Sequence, residues 1–430
     1  MLFELVVCKE SVSVIQRNTN TNNGIHYGWM VVFGGFLTQI ILMISLQTLP
    51  IIMAEVKIGL NLTNASAGTI MSVFGLTYAG CSFIWGYIAD RFGARFAVTA
   101  AGIISALMVI LFGFVGDSFT KALIIFALVG FGAAGIYSAT IPKLIGAWFH
   151  PSKRGRAMSL ITPGGVLTAA VLGIVAPKLS KAFGWQSTFV ILGAVALVCT
   201  ILIYVIVRNR AADKGLTPIG SPLDVIVDSV PAAKEGGFGE VLKMRITWQL
   251  GIMYIFWQLA FMTITVFLAV SVRGAGFTAV QAGLAVTIYS LCQLVGQQIW
   301  GPLSDRIERK FVIGIAGIWW AVFAMGYIFV FGSGLSNMYI VVGLMGVGMG
   351  MVPVLLASFT DYFPMEVRGT GAGVISTFAT VGRFFGPMVA GIVADATGKV
   401  SSVFGFAGAM MLIAALIALA LPSLRNKAAA

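Results

Sequence analysis

Charge is what this 430-residue chain has least of. Asp, Glu, Lys and Arg together make 10%, where soluble domains carry about a quarter. A water-soluble fold is excluded on that ground. Acids are the scarcer sign, 15 against 27 Lys and Arg, for a formal charge of +12. Cys8, Cys81, Cys199 and Cys292 stand apart, with no CxxC pair or metal-ligand spacing, which argues against a disulfide framework and a metal centre. His26 and His150 are the only histidines, and no nucleophile–base arrangement occurs. No GxxxxGK[ST] phosphate loop is present either. The expectation is a protein that is not an enzyme, with no catalytic residues, metal or cofactor, and no direct use of ATP.

Long apolar runs are there instead. Hydrophobic residues make 59% of the chain. A spanning helix needs about 20 mostly apolar residues. Twelve such stretches are read near 28–53, 65–88, 96–115, 121–147, 157–178, 187–207, 246–271, 279–303, 311–331, 338–361, 370–394 and 402–422. The expected fold is an all-α membrane protein with twelve transmembrane helices in two pseudo-symmetric six-helix halves, 25–208 and 246–422. Residues 1–24, ending NTNTNNG, read as a disordered cytoplasmic tail. Residues 209–245 read as a cytoplasmic linker and 423–430 as a cytoplasmic tail.

With both termini inside, Lys57, Lys121, Lys178, Lys181, Arg273 and Lys399 lie outside. Lys143 and Arg383 fall within spans, and every other basic residue lies on the cytoplasmic side. This asymmetry is the positive-inside pattern. The basic balance is therefore topology; nucleic acid is not an expected partner, and the lipid bilayer of the inner (plasma) membrane is.

Two echoes divide the chain. GYIADRFGAR at Gly86–Arg95 returns as GPLSDRIERK at Gly301–Lys310, and Arg154-Gly155 returns as Arg368-Gly369 at nearly the same spacing. Repeated halves in a membrane protein imply a carrier that rocks around a site between them. The glycines of the fourth span (Gly130, Gly132, Gly135) and tenth span (Gly343, Gly346, Gly348, Gly350) suit close helix packing. Pro50, Pro142, Pro163, Pro353 and Pro387 are expected to interrupt helical hydrogen bonding.

Gly86-x-x-x-Asp90-Arg91-x-Gly93-x-Arg95, with the repeat and the twelve spans, resembles the major facilitator superfamily over about 400 residues. (The two halves of that superfamily are parallel repeats about an axis along the membrane normal.) The resemblance implies a cytoplasmic latch at Asp90, Arg91 and Arg95, echoed at Asp305, Arg306 and Arg309, where Glu308 replaces a glycine. A carboxylate there can meet the positive end of a helix. His26–Trp29, Trp148–Ala157 and Gly184-Trp185 resemble the bacterial monocarboxylate and oxalate/formate branches. Their substrate-holding arginine in the eighth span corresponds to Gln297 here, and the acidic partner to Gln293. Gly382-Arg383-x-x-Gly386-Pro387 resembles a run in aromatic-acid/proton symporters.

Arg383 is the strongest candidate for binding. It lies ~20 Å from the cytoplasmic end of its span at 1.5 Å per residue, too deep in ~30 Å of hydrocarbon to reach either surface. An unpaired arginine there costs about 2.5–3.5 kcal/mol, and no acid falls mid-span to pair it. A substrate carboxylate is the expected partner, through a two-pronged charged hydrogen bond; carbonyl or amide partners are the alternative. Gln293, Gln297 and Tyr289 share one helical stripe. Gln39, Tyr137, Tyr254 and Gln258 are weaker candidates, each more often a helix–helix contact. Lys143, ~7 Å along the helix from Trp148, reads as a snorkelling side chain or a gate.

The expected function is secondary active transport of a small organic anion, a monocarboxylate, by alternating access in a monomer. Protons are an open second partner, since no acid titrates at mid-membrane. The alternatives are an efflux carrier for apolar or amphipathic compounds, and a membrane sensor or assembly factor on the same scaffold.

Overall fold

Apolar composition and helix length decide the architecture together, because in lipid each backbone N–H must be satisfied within its own helix. The computed structural model describes residues 26–137, 140–220, 238–364 and 367–423, except the side chains at 151, 238, 360, 368 and 369. The tail at 1–24, linker residues 221–237, the last residues from 424 and the Arg368 side chain lie outside the described residues.

Span 1 is Gly28–Ile51, span 2 Asn64–Phe92, span 3 Ala94–Val115 and span 4 Phe119–Trp148. Spans 7 to 12 are Arg245–Gly274, Ala279–Arg306, Arg309–Val330, Leu335–Phe359, Thr370–Thr397 and Ser402–Leu419. Between the two groups lies Ser152–Ile206, a largely apolar helical stretch of 55 residues. At 1.5 Å per residue this is ~80 Å, far beyond a single crossing. Gly184 divides it, with φ 84° and ψ 162°, a conformation that L side chains avoid. Spans 5 and 6 meet there, making twelve crossings among the described residues.

The prolines divide into two kinds. Pro142, Pro163 and Pro353 stand in the first turn of a new helical segment, where no N–H partner is needed. Pro50 and Pro387 lie within helices. Spans 4 and 10 are broken at matching places, between Ile136 and Ile141 and between Met349 and Val352.

The repeat reappears as contacts. Trp85 Nε1 donates to Phe131 O at 2.7 Å, and Trp300 Nε1 to Val347 O at 2.8 Å. Each bond clamps the second helix of a half to the fourth. The halves meet along two seams, span 2 against span 11 and span 5 against span 8. Glycine makes the second seam possible: a methyl on Gly173 or Gly283 would collide with the other's carbonyl. Thr287 Oγ1 ties that seam by donating to Ala170 O at 2.7 Å.

Candidate functional site

Arg383 stands midway along Arg368–Thr397, and glycines around it place its side chain. Gly382 and Gly386 let span 11 lie directly on the backbone of span 7 at Ile255 and Leu259. On the other side Gly75 of span 2 abuts the Arg383 backbone. The guanidinium thus emerges where the two halves meet. With the Gln258 amide turned so that its oxygen, not its nitrogen, meets the surrounding donors, as that network demands, Oε1 accepts from Arg383 Nε at 3.3 Å and Nη2 at 3.1 Å, and from the Tyr254 hydroxyl at 3.2 Å. The Tyr78 ring of span 2 lies 5.0 Å from the guanidinium carbon, within cation–π range. None of the ion pairs among the described residues involves Arg383.

Between the halves is an open cavity of about 180 Å³, whose lining includes neither Arg383 nor Gln258. Gln39, Gln47, Thr162, Thr265, Tyr289, Ser290 and Gln293 supply its polar lining, with Met43, Leu46, Phe261 and Leu268 among the apolar groups. Span 7 joins the two regions. Its residues 254, 258, 261, 265 and 268 recur at helical spacing and run from the arginine cluster along the cavity wall. Tyr137 meets Thr162 at 3.5 Å, and Gly165 leaves room for the Gln39 amide. Tyr289 accepts from Trp320 Nε1 at 3.2 Å, which fixes its ring in the wall.

The expected polar shell is thereby rearranged. Gln293 lines the cavity but is not hydrogen-bonded to Arg383, and Gln297 lies against the span 10 backbone at Gly350. The groups around Arg383 are Gln258 and Tyr254, which pattern alone ranked as ordinary helix contacts, and Tyr78. Tyr78 gave no distinguishing signal, being one of several aromatic residues in its span. Among the described residues no cluster of His, Cys, Asp and Glu could hold a metal.

At the end of the bundle where the chain begins, the terminal face, Asp90 pairs with Lys143 at 2.6 Å, and Lys143 also donates to Gly86 O at 2.8 Å. This pair lies within one half. Lys143 is thus a partner of the repeat motif in this state. Arg91 donates to the Tyr87 hydroxyl at 3.3 Å. Arg95 binds Tyr204 O through Nε and Nη2 at 3.1 and 2.7 Å. In the second half Asp305 is exposed, Arg306 ends span 8, and Arg309 pairs with Asp361. Asp90→Asn should therefore alter transport rate with little change in equilibrium affinity. An exposed pair of this kind adds at most about 1 kcal/mol to stability. Uptake kinetics and ligand titration check it: a large affinity loss at unchanged rate refutes the latch.

The opposite, far face is where carboxylates bridge the halves. Asp395 of span 11 accepts from the backbone N–H groups of Asn64 and Ala65 at 3.2 and 2.8 Å, and from Asn64 Nδ2 at 2.7 Å. It caps the start of span 2, where spare N–H groups and the helix dipole favour an anion. Glu55 faces Arg273 Nε across 3.1 Å, without the alignment of a hydrogen bond. Burial pushes the Glu55 carboxyl above its ordinary value, against the opposing pull of Arg273. The geometry anticipated for Asp90, a carboxylate on a helix start, is realised at the far face by Asp395.

The sequence profile described as Major Facilitator Superfamily matches residues 31–283 and 272–429. The chain belongs to this family of membrane transporters. It is 23% identical over 416 residues to the probable galactarate/D-glucarate transporter GudP of Bacillus subtilis (strain 168), covering 90% of each chain. It is 25% identical to the probable sulfoacetate transporter SauU of Cupriavidus necator, covering 84% of this chain and 86% of that one. A bacterial homolog of the human lysosomal transporter Spinster, solved in an inward-facing and unoccupied conformation, shares the fold. Its TM-score is 0.69 at 16% identity, covering 92% of this chain and 96% of that one.

Proposed function

We propose that the protein moves a small hydroxylated organic anion, with a monocarboxylate as the simplest case, across the inner membrane by alternating access. Both termini are then cytoplasmic, as the distribution of basic residues requires. The observation that carries this reading is Arg383: a mid-membrane guanidinium at the junction of the halves whose hydrogen-bonding neighbour is a neutral amide. A carboxylate supplies the missing charge. The amides of Gln39, Gln47 and Gln293 and the Ser290 hydroxyl line the adjoining cavity. Amides both donate and accept, as sugar hydroxyls demand. Relatives named as transporters of galactarate/D-glucarate, hexuronate and sulfoacetate support an anion over an apolar cargo. The resemblance of His26–Trp29 and Trp148–Ala157 to monocarboxylate carriers supports a single carboxylate.

The test is a thermal-shift panel on purified protein with D-glucarate, D-glucuronate, sulfoacetate, benzoate, glucose and a set of apolar amines, followed by uptake into proteoliposomes. At least one anion should stabilise the protein and be taken up, with glucose inert. Stabilisation by apolar amines alone would overturn the reading in favour of efflux. Imposing a pH gradient on the same vesicles tests proton coupling.

A further inference from the structure

Gln258 does more than fill space beside the arginine. Its side chain is 1% exposed, and its single oxygen receives donors from Arg383 Nε, Arg383 Nη2 and Tyr254. Those two guanidinium nitrogens form the side-on fork, one of the two faces on which a carboxylate can be gripped by two parallel bonds. The Nη1–Nη2 end of the guanidinium is not used by Gln258. The guanidinium carbon lies over the Tyr78 ring, 5.0 Å from its centre. The arginine is thus fixed in orientation by two residues of span 7, yet its charge stays whole.

We propose that Gln258 is the charge-selecting residue of the Arg383 site: a neutral positioning group that occupies the side-on fork and leaves the end-on fork to the carboxylate of the cargo. This rests on the proposed anion-binding role of Arg383. A glutamate of the same shape would hold the guanidinium equally well and neutralise it, since a buried carboxylate beside arginine stays ionised. The same fold would then prefer uncharged cargo. Hydrogen bonding of the amide oxygen explains how the arginine is oriented; neutrality of the amide explains why an anion is needed.

The experiment compares wild type, Gln258→Glu, Gln258→Leu, Tyr254→Phe and Arg383→Gln. The probe is whichever of D-glucarate, D-glucuronate and benzoate most stabilises the wild type. Gln258→Glu should fold with a melting temperature at least equal to wild type and bind the probe at least tenfold more weakly. Gln258→Leu and Tyr254→Phe, which disturb orientation and leave charge intact, should each weaken it two- to fivefold. The ratio of binding between the acid and its uncharged amide should fall with Gln258→Glu and with Arg383→Gln, and hold with Gln258→Leu and Tyr254→Phe. A merely structural glutamine would not move that ratio.

Each outcome decides something. If no anion stabilises the wild type, or Arg383→Gln binds normally, the anion site itself is wrong. If Arg383→Gln loses binding while Gln258→Glu keeps it within twofold, Gln258 does not select charge. If Gln258→Glu fails to fold, Tyr254→Phe still tests positioning, and wild-type binding by it refutes the proposal.

Discussion

Arg383→Gln is expected to weaken binding of the transported anion by about 1.5–3 kcal/mol, the range for hydrogen bonds to charged groups, or roughly ten- to hundredfold. The variant keeps a polar side chain near Gln258 and Tyr254 but loses both the charge and the fork. Arg383→Lys should recover only part, because an ammonium is a point charge without two parallel donors. It also loses the flat stack over Tyr78. Equilibrium binding and uptake by normally folded variants measure the effect. Wild-type affinity in Arg383→Gln would remove the arginine from the site altogether.

Asp395→Asn is expected to open the far face. It weakens three hydrogen bonds that tie span 11 to the first turn of span 2. A carboxylate so placed contributes about 1–2 kcal/mol, so the balance between sealed and open forms should move roughly five- to thirtyfold. Ala67 is buried at the same seam. An Ala67→Cys reporter in a background without Cys8, Cys81, Cys199 and Cys292 should react faster with an impermeant thiol reagent when Asp395→Asn is added. An unchanged labelling rate would show that the seam is held by packing alone.

Glu55 gives this seal a pH dependence with a definite sign. Burial raises its carboxyl above the ordinary value of 4.5 more than Arg273 lowers it. The sealed form, where the group is desolvated, therefore holds the proton more tightly than an open, hydrated form. By linkage the form that binds more protons is favoured by acid. Relative to labelling in Glu55→Gln, which changes with pH only through the thiol itself, labelling at Ala67→Cys should slow as pH falls from the raised value towards 4.5. A slope of opposite sign would mean that the Arg273 attraction dominates.

Much of the architecture was legible because lipid leaves few options. Twelve apolar stretches and the Asp90–Asp305 and Arg154–Arg368 echoes predict two halves, and matching indole bonds from Trp85 and Trp300 fit that division. Arg383 was legible as well, since a deep cation with no acid at mid-span is rare. Its partners were not. Gln258 and Gln293 look alike in sequence, and only the packing of Gly382 and Gly386 on span 7 decides which one reaches the guanidinium. Asp395 and Glu55 read as span-end charges because their partners, Asn64 and Arg273, belong to the other half. Contacts across the halves depend on the conformation adopted, and one-dimensional spacing does not encode that choice.

The two indole bonds have a mechanical meaning. Trp85 binds a carbonyl of span 4 and Trp300 one of span 10, both inside a half, while Thr287, Asp395 and Arg273 bind across. The first set stiffens each lever; the second forms detents that hold the pair in one of its stops. Damage to a lever should appear as lost folding or expression. Damage to a detent should leave a well-folded protein whose levers spend their time at the wrong stop.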